Sequence, residues 1–416
     1  MQPMSLSARP RLAALLAMLA VTVLLGTSAS ASSESVIYNF NSVSGGSDGY
    51  YPYAGMIADK KGNLYGTTYQ GGNTTAYGVV FELTLSGSTW SETVLHPFAG
   101  GTSDGAYPET GLVMDASGNL YGTTYEGGTY NEGVVFKLTK SGNTWTETIL
   151  HSFAGYPKDG SYPLGNLVFD SSGNLYGTTY YGGSHNYGTA FIMTQSKGKW
   201  TEKVMHGFAA SGDGYYPLGV LVVGKDGYFY GTTEYGGATY NAGTVYELFQ
   251  ARGVWVKKTV FEFTGGAAGC YPLAGLAMDT GGNLYGTTYQ CGNDNLGTVF
   301  ELKAGKNNKF TQQVLYSFTG GDTDGEYPYF AGVVLDSKNN VYGTTYEAGS
   351  QSNAGTVYEL KLNKGKYKES VLHAFSGGSG DGCYSRAGLV LLKGNVYGTA
   401  YACGSHSGGV AFEVIP

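Results

Sequence analysis

The residues of this sequence that could carry chemistry are six histidines, four cysteines, and tyrosines and carboxylates that recur at regular intervals. Four histidines share one context, with two apolar residues before them and a phenylalanine two residues after: His96, His151, His206 and His373. The pattern G-x-S-x-G occurs at residues 45–49 and 101–105, but each copy belongs to a glycine-rich loop with no helical pattern after it, so neither is a nucleophile elbow. The chain contains no H-E-x-x-H helix and no glycine-rich phosphate loop that opens a helix. Nucleophilic and nucleotide chemistry therefore have no support.

These residues belong to a repeat. The first tyrosine of the motif LYGTTY, or of a close variant, recurs at intervals of 54 to 57 residues, at Tyr65, Tyr121, Tyr176, Tyr230, Tyr285, Tyr342 and Tyr397. A fixed period of this size indicates a solenoid, a propeller or a linear array, because each unit must bury one face against its neighbours.

Each repeat has the pattern of four short strands. In the second repeat the runs GLVMD, LYGTTY, VVFKLT and WTETILHSF alternate with turns rich in glycine, asparagine and serine. The D-x-x-G-N turn after the first run is typical of a hairpin. Runs such as VVFEL and SETVLHPF alternate with period two, as half-buried strands do. Seven such units predict an all-β fold, a seven-bladed β-propeller with four antiparallel strands in each blade.

The two ends of the chain predict how the ring closes. The fourth-strand motif follows a third strand in only six repeats, and the last repeat ends at VAFEVIP. The seventh copy, VIYNF at residues 36–40, precedes the first repeat. We therefore expect this N-terminal strand to complete the last blade, which would remove both exposed sheet edges.

The first 31 residues have the order of a secretory signal peptide. Arg9 and Arg11 precede an apolar run and small residues that end at Ala31. Cleavage there would leave a single propeller domain over residues 32–416, and a retained membrane anchor is the alternative. That domain would carry 22 basic and 31 acidic residues, a balance that disfavours nucleic acid and anionic membranes as partners. We expect a secreted protein, extracellular or periplasmic, with no membrane contact after cleavage.

The motif GNLYGTTYxGG, followed by GTVFEL, resembles the tandem GloVer repeat of bacterial exported and surface proteins, the choice-of-anchor type. The resemblance covers nearly all of the chain after residue 31. It implies a propeller-like fold and an exported bacterial protein, and it leaves the activity open. This sequence departs from the pattern because no anchor follows its last strand.

The four cysteines occupy two columns of the repeat. Cys270 and Cys383 stand at the variable position of DGxYP, and Cys291 and Cys403 stand at the first glycine of YxGG. In a propeller the loop entering the first strand and the loop after the second lie on one face. We predict the disulfides Cys270–Cys291 and Cys383–Cys403, which an exported chain can form. Zinc is disfavoured because the two pairs lie in blades 5 and 7.

The remaining histidines and the aspartates have structural explanations. The histidine column of the fourth strand predicts packing or a polar surface position, and His185 and His406 lie in loops. The aspartates of DGxYP and of the D-x-x-G-N hairpin are consistent with Asx-turns, whereas an EF-type calcium loop needs oxygens at alternate positions. We expect no metal centre and no cofactor, and the question of calcium stays open.

The variable positions of DGxYP and YxGG differ from blade to blade and are therefore free to serve a ligand. Tyrosines, glutamates and glutamines dominate there, and flat aromatic faces beside hydrogen-bonding groups suit sugar rings. Solvated loop side chains are the alternative reading. The predicted ligand-binding residues are Tyr50, Tyr181, Tyr215, Tyr235, Glu126, Glu326 and Glu347.

Two classes of function follow. We favour an exported, non-catalytic binding or scaffolding module that holds a glycan or an extracellular or cell-surface protein through this loop face. The alternative is a polysaccharide-active enzyme, a glycoside hydrolase or lyase. In such an enzyme two of Glu126, Glu326 and Glu347 would act as acid and base across the central channel.

Overall fold

The seven LYGTT segments form the second strands of seven four-stranded antiparallel sheets, one per repeat. The computed structural model describes residues 32–42, 47–306 and 309–416, so the predicted signal peptide lies outside the described residues. The unit Ser32–Pro416 contains all seven sheets. The seven-bladed propeller predicted from the repeat is confirmed.

The blades are numbered from 1 to 7 in chain order of their LYGTT strands. The first strands are Ile57–Ala58, Val113–Met114, Val168–Phe169, Val222–Val223, Ala277–Met278, Val334–Leu335 and Val390–Leu392. The second strands are Leu64–Thr68, Leu120–Thr124, Leu175–Thr179, Phe229–Thr233, Leu284–Thr288, Val341–Thr345 and Asn395–Ala400. The third strands are Val79–Ser86, Val134–Ser141, Thr189–Ser196, Thr244–Ala251, Thr298–Ala304, Thr356–Asn363 and Ser407–Ile415. The outer strands of blades 1 to 6 are Thr89–Pro97, Thr144–Ser152, Lys199–Gly207, Val254–Glu262, Phe310–Ser317 and Lys366–Ala374.

The outer strand of blade 7 comes from the other end of the chain. Ser33–Asn41 pairs antiparallel with Ser407–Ile415, with Ser33 opposite Ile415. The predicted closing strand is therefore confirmed, and it is longer than the five-residue motif. Blade 7 also bonds to blade 1, since the Thr399 hydroxyl donates to the Ala54 carbonyl at 3.0 Å.

Short ladders extend five of the blades on one side, which we call the loop face because it carries the DGxYP and YxGG loops. They pair Gly49–Tyr50 with Gln70–Gly71, Gly105–Ala106 with Glu126–Gly127, Gly160–Ser161 with Tyr181–Gly182, Gly325–Glu326 with Glu347–Ala348, and Gly382–Cys383 with Ala402–Cys403. Single bridges take their place in blades 4 and 5. The 3₁₀ turns of the described chain are Gly101–Ser103, Ser211–Asp213 and Gly266–Ala268. The D-x-x-G-N turns lie at the opposite side, the hairpin face.

Aromatic rings fill the space between blades. In blade 1 a Cβ at Gly66 would lie 2.5 Å from the Phe81 ring, so only glycine allows the third strand to place that ring there. The phenylalanine near the end of each outer strand then packs edge-on against the corresponding ring of the next blade, as Phe98 does on Phe136 at 5.2 Å. The same contact recurs at all seven junctions, with centroid distances of 5.0–5.2 Å. Each such pair contributes about 0.5–1.5 kcal/mol beyond its area burial.

Candidate functional site

The two variable columns are direct cross-strand partners. Tyr50 faces Gln70, Tyr215 faces Tyr235, and Glu326 faces Glu347 in the loop-face ladders and bridges. The expectation that the loop entering the first strand and the loop after the second lie on one face is confirmed. Each blade therefore presents one pair of variable side chains on the loop face.

The two cysteine pairs lie in the same two loops of blades 5 and 7. Cys270 bonds to Cys291 with Cα atoms 5.4 Å apart, and Cys383 bonds to Cys403 at 5.5 Å. Both predicted disulfides are therefore confirmed. Each one joins the loop that enters a blade to the loop that follows its second strand.

The seven predicted ligand-binding residues do not form one cluster. Tyr181, Tyr215 and Tyr235 lie in the adjacent blades 3 and 4, and the rings of Tyr215 and Tyr235 stack at 5.4 Å. Tyr50 and Glu126 lie in blades 1 and 2. The structure groups the remaining pair, Glu326 and Glu347, in blade 6, where partial burial and the facing carboxylate raise the pKa of Glu326.

A tyrosine belt on the loop face was missed because its positions hardly vary. The tyrosine of each YP motif adopts a left-handed conformation, with φ between 53° and 60°. This rare geometry for a bulky residue is held by hydrogen bonds between blades, such as Tyr107 N–H to the Tyr77 carbonyl at 2.8 Å. Its ring meets the last tyrosine of the LYGTTY motif of the preceding blade. The pairs, 4.6–5.3 Å apart, are Tyr69–Tyr107, Tyr125–Tyr162, Tyr180–Tyr216, Tyr289–Tyr327, Tyr346–Tyr384 and Tyr401–Tyr51.

A third variable column lines the central channel, two residues after the YP tyrosine. It holds Tyr53, Glu109, Leu164, Leu218, Leu273, Tyr329 and Arg386. The Arg386 guanidinium carbon lies 4.7–5.3 Å from the ring centres of four tyrosines, Tyr53, Tyr329, Tyr346 and Tyr401. The comparison of repeats that exposed the first two columns could have found this one.

The channel is smaller than a typical small-molecule site. Residues of all seven blades line a cavity of about 200 Å³, whereas typical small-molecule sites enclose about 300–1,000 Å³. Arg386 fills its aromatic cage, so the four tyrosine faces around it are already in contact with a cation. Burial raises the pKa of Glu109 at the channel wall to about 7, although Arg386 opposes this shift.

A groove of about 360 Å³ opens on the loop face between blades 2 and 3. Its wall includes the predicted Tyr181, together with Tyr156, Tyr162, Glu132 and Asn186. Tyr156 is 62% exposed, so its ring is open to a ligand. Partial burial raises the pKa of Glu132, although a hydrogen bond with Ser161 opposes this shift.

A larger groove of about 700 Å³ lies on the hairpin face between blades 3 and 4. Three of its four aromatic residues are paired with one another. Tyr176 stacks on Phe229 at 4.0 Å, and Trp255 meets both rings edge-on at 6.0 Å. None of these three rings is exposed, whereas the loop-face groove contains the exposed ring of Tyr156.

The fourth-strand histidines bond to the aspartates of the DGxYP loops. The Nε2 atom lies 2.9–3.3 Å from a carboxylate oxygen in His96–Asp104, His151–Asp159, His206–Asp213 and His373–Asp381. The Asx-turn expectation holds for hairpin residues such as Asp59, which accepts the Lys61 N–H at 2.8 Å. It is wrong for the DGxYP aspartates, because their carboxylates turn back towards the outer strand, as in the bond from Ala99 N–H to Asp104 at 2.7 Å.

The outer strand of the next blade adds a further side chain to each of these junctions. This side chain stands four residues before the histidine column. In the seven blades the position holds Glu34, Glu92, Glu147, Glu202, Lys257, Gln312 and Glu369. Burial raises the pKa of these glutamates to about 8 for Glu92 and to about 7 for Glu34, Glu147, Glu202 and Glu369. A nearby aspartate adds to the shift in every case.

Glu92 gives a testable pH dependence. It faces Asp48 and Tyr38, and its pKa of about 8 means that the folded protein keeps a proton that the unfolded chain releases near pH 4.5. The free energy of unfolding should therefore fall between about pH 5 and pH 8. Glu92→Gln should remove part of that fall and stabilise the protein at pH 8 by about 1–2 kcal/mol, discounted for solvent screening. Thermal unfolding at both pH values measures this difference.

The chain contains its own control for that substitution. Gln312 stands in the same column and donates to the Ala268 carbonyl at 2.7 Å, so the column accepts an amide. Gln312→Glu should steepen the fall of stability with pH. A pH profile that neither substitution changes would contradict the assignment.

The fold and its repeated loop-face residues define the class of protein: a seven-bladed β-propeller built from tandem repeats. The chain belongs to the Gloeobacter/Verrucomicrobia repeat family, whose model matches residues 26–239 and 201–412. The family predicted from the LYGTTY motif is thereby confirmed. No curated protein matches the chain. In the part of the chain that the structure describes, no helix has the length and apolar character needed to span a membrane.

Proposed function

We propose that the chain is an exported, non-catalytic binding module that holds a sugar-like ligand on its loop face. The observation that carries the proposal is the groove between blades 2 and 3, where aromatic and polar side chains line about 360 Å³. This volume lies within the range of typical small-molecule sites. Export is supported by the two disulfides, which form and persist in oxidising compartments.

The groove combines the two contacts that a sugar ring needs. Tyr156, Tyr162 and Tyr181 offer flat faces for the C–H side of the ring, and Glu132 and Asn186 offer polar groups for its hydroxyls. Tyr181 also meets Tyr162 and Tyr216 edge-on, at 6.1 and 5.3 Å, which orients its ring. A polysaccharide could extend from this groove along the tyrosine belt.

The enzyme alternative has a weaker basis. Glu326 and Glu347 are neighbours in blade 6, whereas the groove lies between blades 2 and 3, so these carboxylates do not flank its contents. Glu132 is the carboxyl group on the groove wall, and Glu126 does not line the groove, whereas an acid and base mechanism needs two carboxyl groups around one bond. We therefore favour binding without turnover.

Calorimetry against plant, fungal and bacterial polysaccharides tests the proposal. Tyr181→Ala and Tyr156→Ala should each weaken binding by up to about tenfold, because one stacked ring contributes about 0.5–1.5 kcal/mol. The double substitution should abolish measurable binding. Tyr240→Ala is the matched control, since Tyr240 is 59% exposed in a loop of blade 4 and lies outside the groove.

Two results would count against this proposal. One is the absence of binding to every polysaccharide tested. The other is an equal effect of the groove substitutions and Tyr240→Ala. Release of reducing ends that Glu326→Gln or Glu347→Gln abolishes would instead establish the enzyme alternative.

A further inference from the structure

Three junctions between neighbouring blades assemble a histidine, an aspartate and a glutamate. The groups are His96, Asp104 and Glu147; His151, Asp159 and Glu202; and His373, Asp381 and Glu34. In each group one ligand atom per residue lies within 4.8 Å of the other two. The histidine and aspartate come from one blade and its following loop, and the glutamate comes from the outer strand of the next blade.

The glutamates carry an unused buried oxygen. The Oε1 atoms of Glu34, Glu147 and Glu202 are inaccessible to solvent and have no hydrogen-bond partner among the described residues, and the same holds for Glu92 and Glu369 in the same column, which have no histidine beside them. A buried carboxylate oxygen without a donor is costly, because it loses its water and gains nothing in return. The side chain of Glu34 is only 11% exposed, and its other oxygen lies 4.0 Å from His373 Nε2. Each group therefore favours a positive partner.

A fourth junction shows that a cation fits this position. Lys257 replaces the glutamate there, and its ammonium lies 3.1 Å from Asp213 Oδ1 with the side chain only 3% exposed. His206 still bonds to the same aspartate at 2.9 Å. At the fourth junction a side chain of the protein thus provides the positive charge that the three glutamate junctions lack.

We propose that each of the three His–Asp–Glu groups binds one divalent transition-metal ion of the zinc or manganese class. Two carboxylates and a neutral imidazole carry two negative charges, which one such ion balances. Imidazole with carboxylates suits these metals, whereas calcium prefers six to eight oxygens. The histidine Nε2 and the aspartate oxygen lie 3.0–3.3 Å apart, a distance that fits two neighbouring ligands of one ion. The glutamate carboxylate would have to move only slightly towards them to become the third ligand.

Such an ion would tie adjacent blades together. Its ligands come from two blades, so the site exists only in the folded ring. Metal binding therefore stabilises the folded ring relative to the unfolded chain. The sites lie at the junctions of blades 1 and 2, 2 and 3, and 6 and 7. The expectation of no metal centre, based on cysteines and calcium loops, did not consider residues from different repeats.

The experiment measures metal uptake by untagged protein after treatment with a chelator. Titration with Zn²⁺ and with Mn²⁺, followed by elemental analysis, should give three equivalents per chain for at least one of them. Glu34→Gln, Glu147→Gln and Glu202→Gln combined should remove all three. Glu369→Gln is the matched control, because Glu369 occupies the same column beside Asp324 and Tyr316 without a histidine, and it should leave three.

Lys257→Glu is a gain-of-function test, since it should add a fourth equivalent at the junction of His206 and Asp213. This result does not depend on any loss of folding. Uptake of no metal by the unmodified protein would overturn the proposal and assign a proton to the buried glutamates. Uptake that the triple substitution leaves unchanged would overturn it as well.

Discussion

Deletion of residues 32–42 is expected to abolish cooperative folding of the ring. The strand Ser33–Asn41 supplies the outer edge of blade 7, and without it the backbone of Ser407–Ile415 is left unpaired. The same deletion removes Phe40, which is fully buried against Phe81 of blade 1. Loss of one such buried ring costs about 3–5 kcal/mol, a large part of the 5–15 kcal/mol that typically stabilises a folded domain. Near-UV circular dichroism and size-exclusion chromatography would measure the loss.

A circular permutant provides the control for that deletion. Ser33 lies opposite Ile415, so a short turn can join Pro416 to Ser32 and present the strand from the other end of the chain. With new termini between Ser42 and Ser47, this permutant should unfold at a temperature close to that of the original chain. A deletion variant that keeps the original unfolding temperature would show that the closing strand is dispensable.

Removal of both disulfides is expected to lower the free energy of unfolding by about 6 kcal/mol. The bridges span 21 and 20 residues, and a loop of this length contributes about 3 kcal/mol in the chain-entropy model. Alanine at all four cysteines should therefore give a much lower midpoint in urea. Blades 1, 2, 3, 4 and 6 carry neither bridge, so their folding should not require oxidation.

Treatment with a reducing agent distinguishes the loss of the disulfides from other effects of the alanine substitutions on stability. Dithiothreitol should destabilise the original protein to about the level of the four-alanine variant and should leave that variant unchanged. Alanine at Cys270 and Cys291 alone should give about half of the full effect. Equal stability of the oxidised and reduced original protein would contradict this prediction.

Much of the fold could be predicted because the features that define a blade lie within one repeat. The hairpin turn, the period-two strands and the invariant LYGTT glycine are all local features of one repeat. Gly66 gives the physical reason for the glycine, because a Cβ at this position would collide with the ring of Phe81. The disulfides were equally accessible, since Cys270 and Cys291 lie 21 residues apart within one repeat. Predictions failed where the partner of a residue lies in another blade.

The candidate site illustrates that failure. Comparison of repeats separated variable from constant positions and led to Tyr181, which does line the loop-face groove. It set aside the constant tyrosines, although Tyr162 forms part of the same wall. The constant tyrosines have two roles. Their left-handed backbone forms the hydrogen bonds that link two blades, and the same conformation turns their rings towards the loop face.

The sequence by itself determined the number of blades, the four strands of each and the closing role of the N-terminal strand. These features depend on hydrophobic alternation and turn chemistry within one repeat, and on a count of motifs along the chain. Only the tertiary structure decided which side chains of neighbouring blades meet, as Glu147 meets His96 and Asp104 across a junction. The physical reason is that the angle and register between blades arise from the packing of rings such as Phe98 and Phe136, which no single repeat contains.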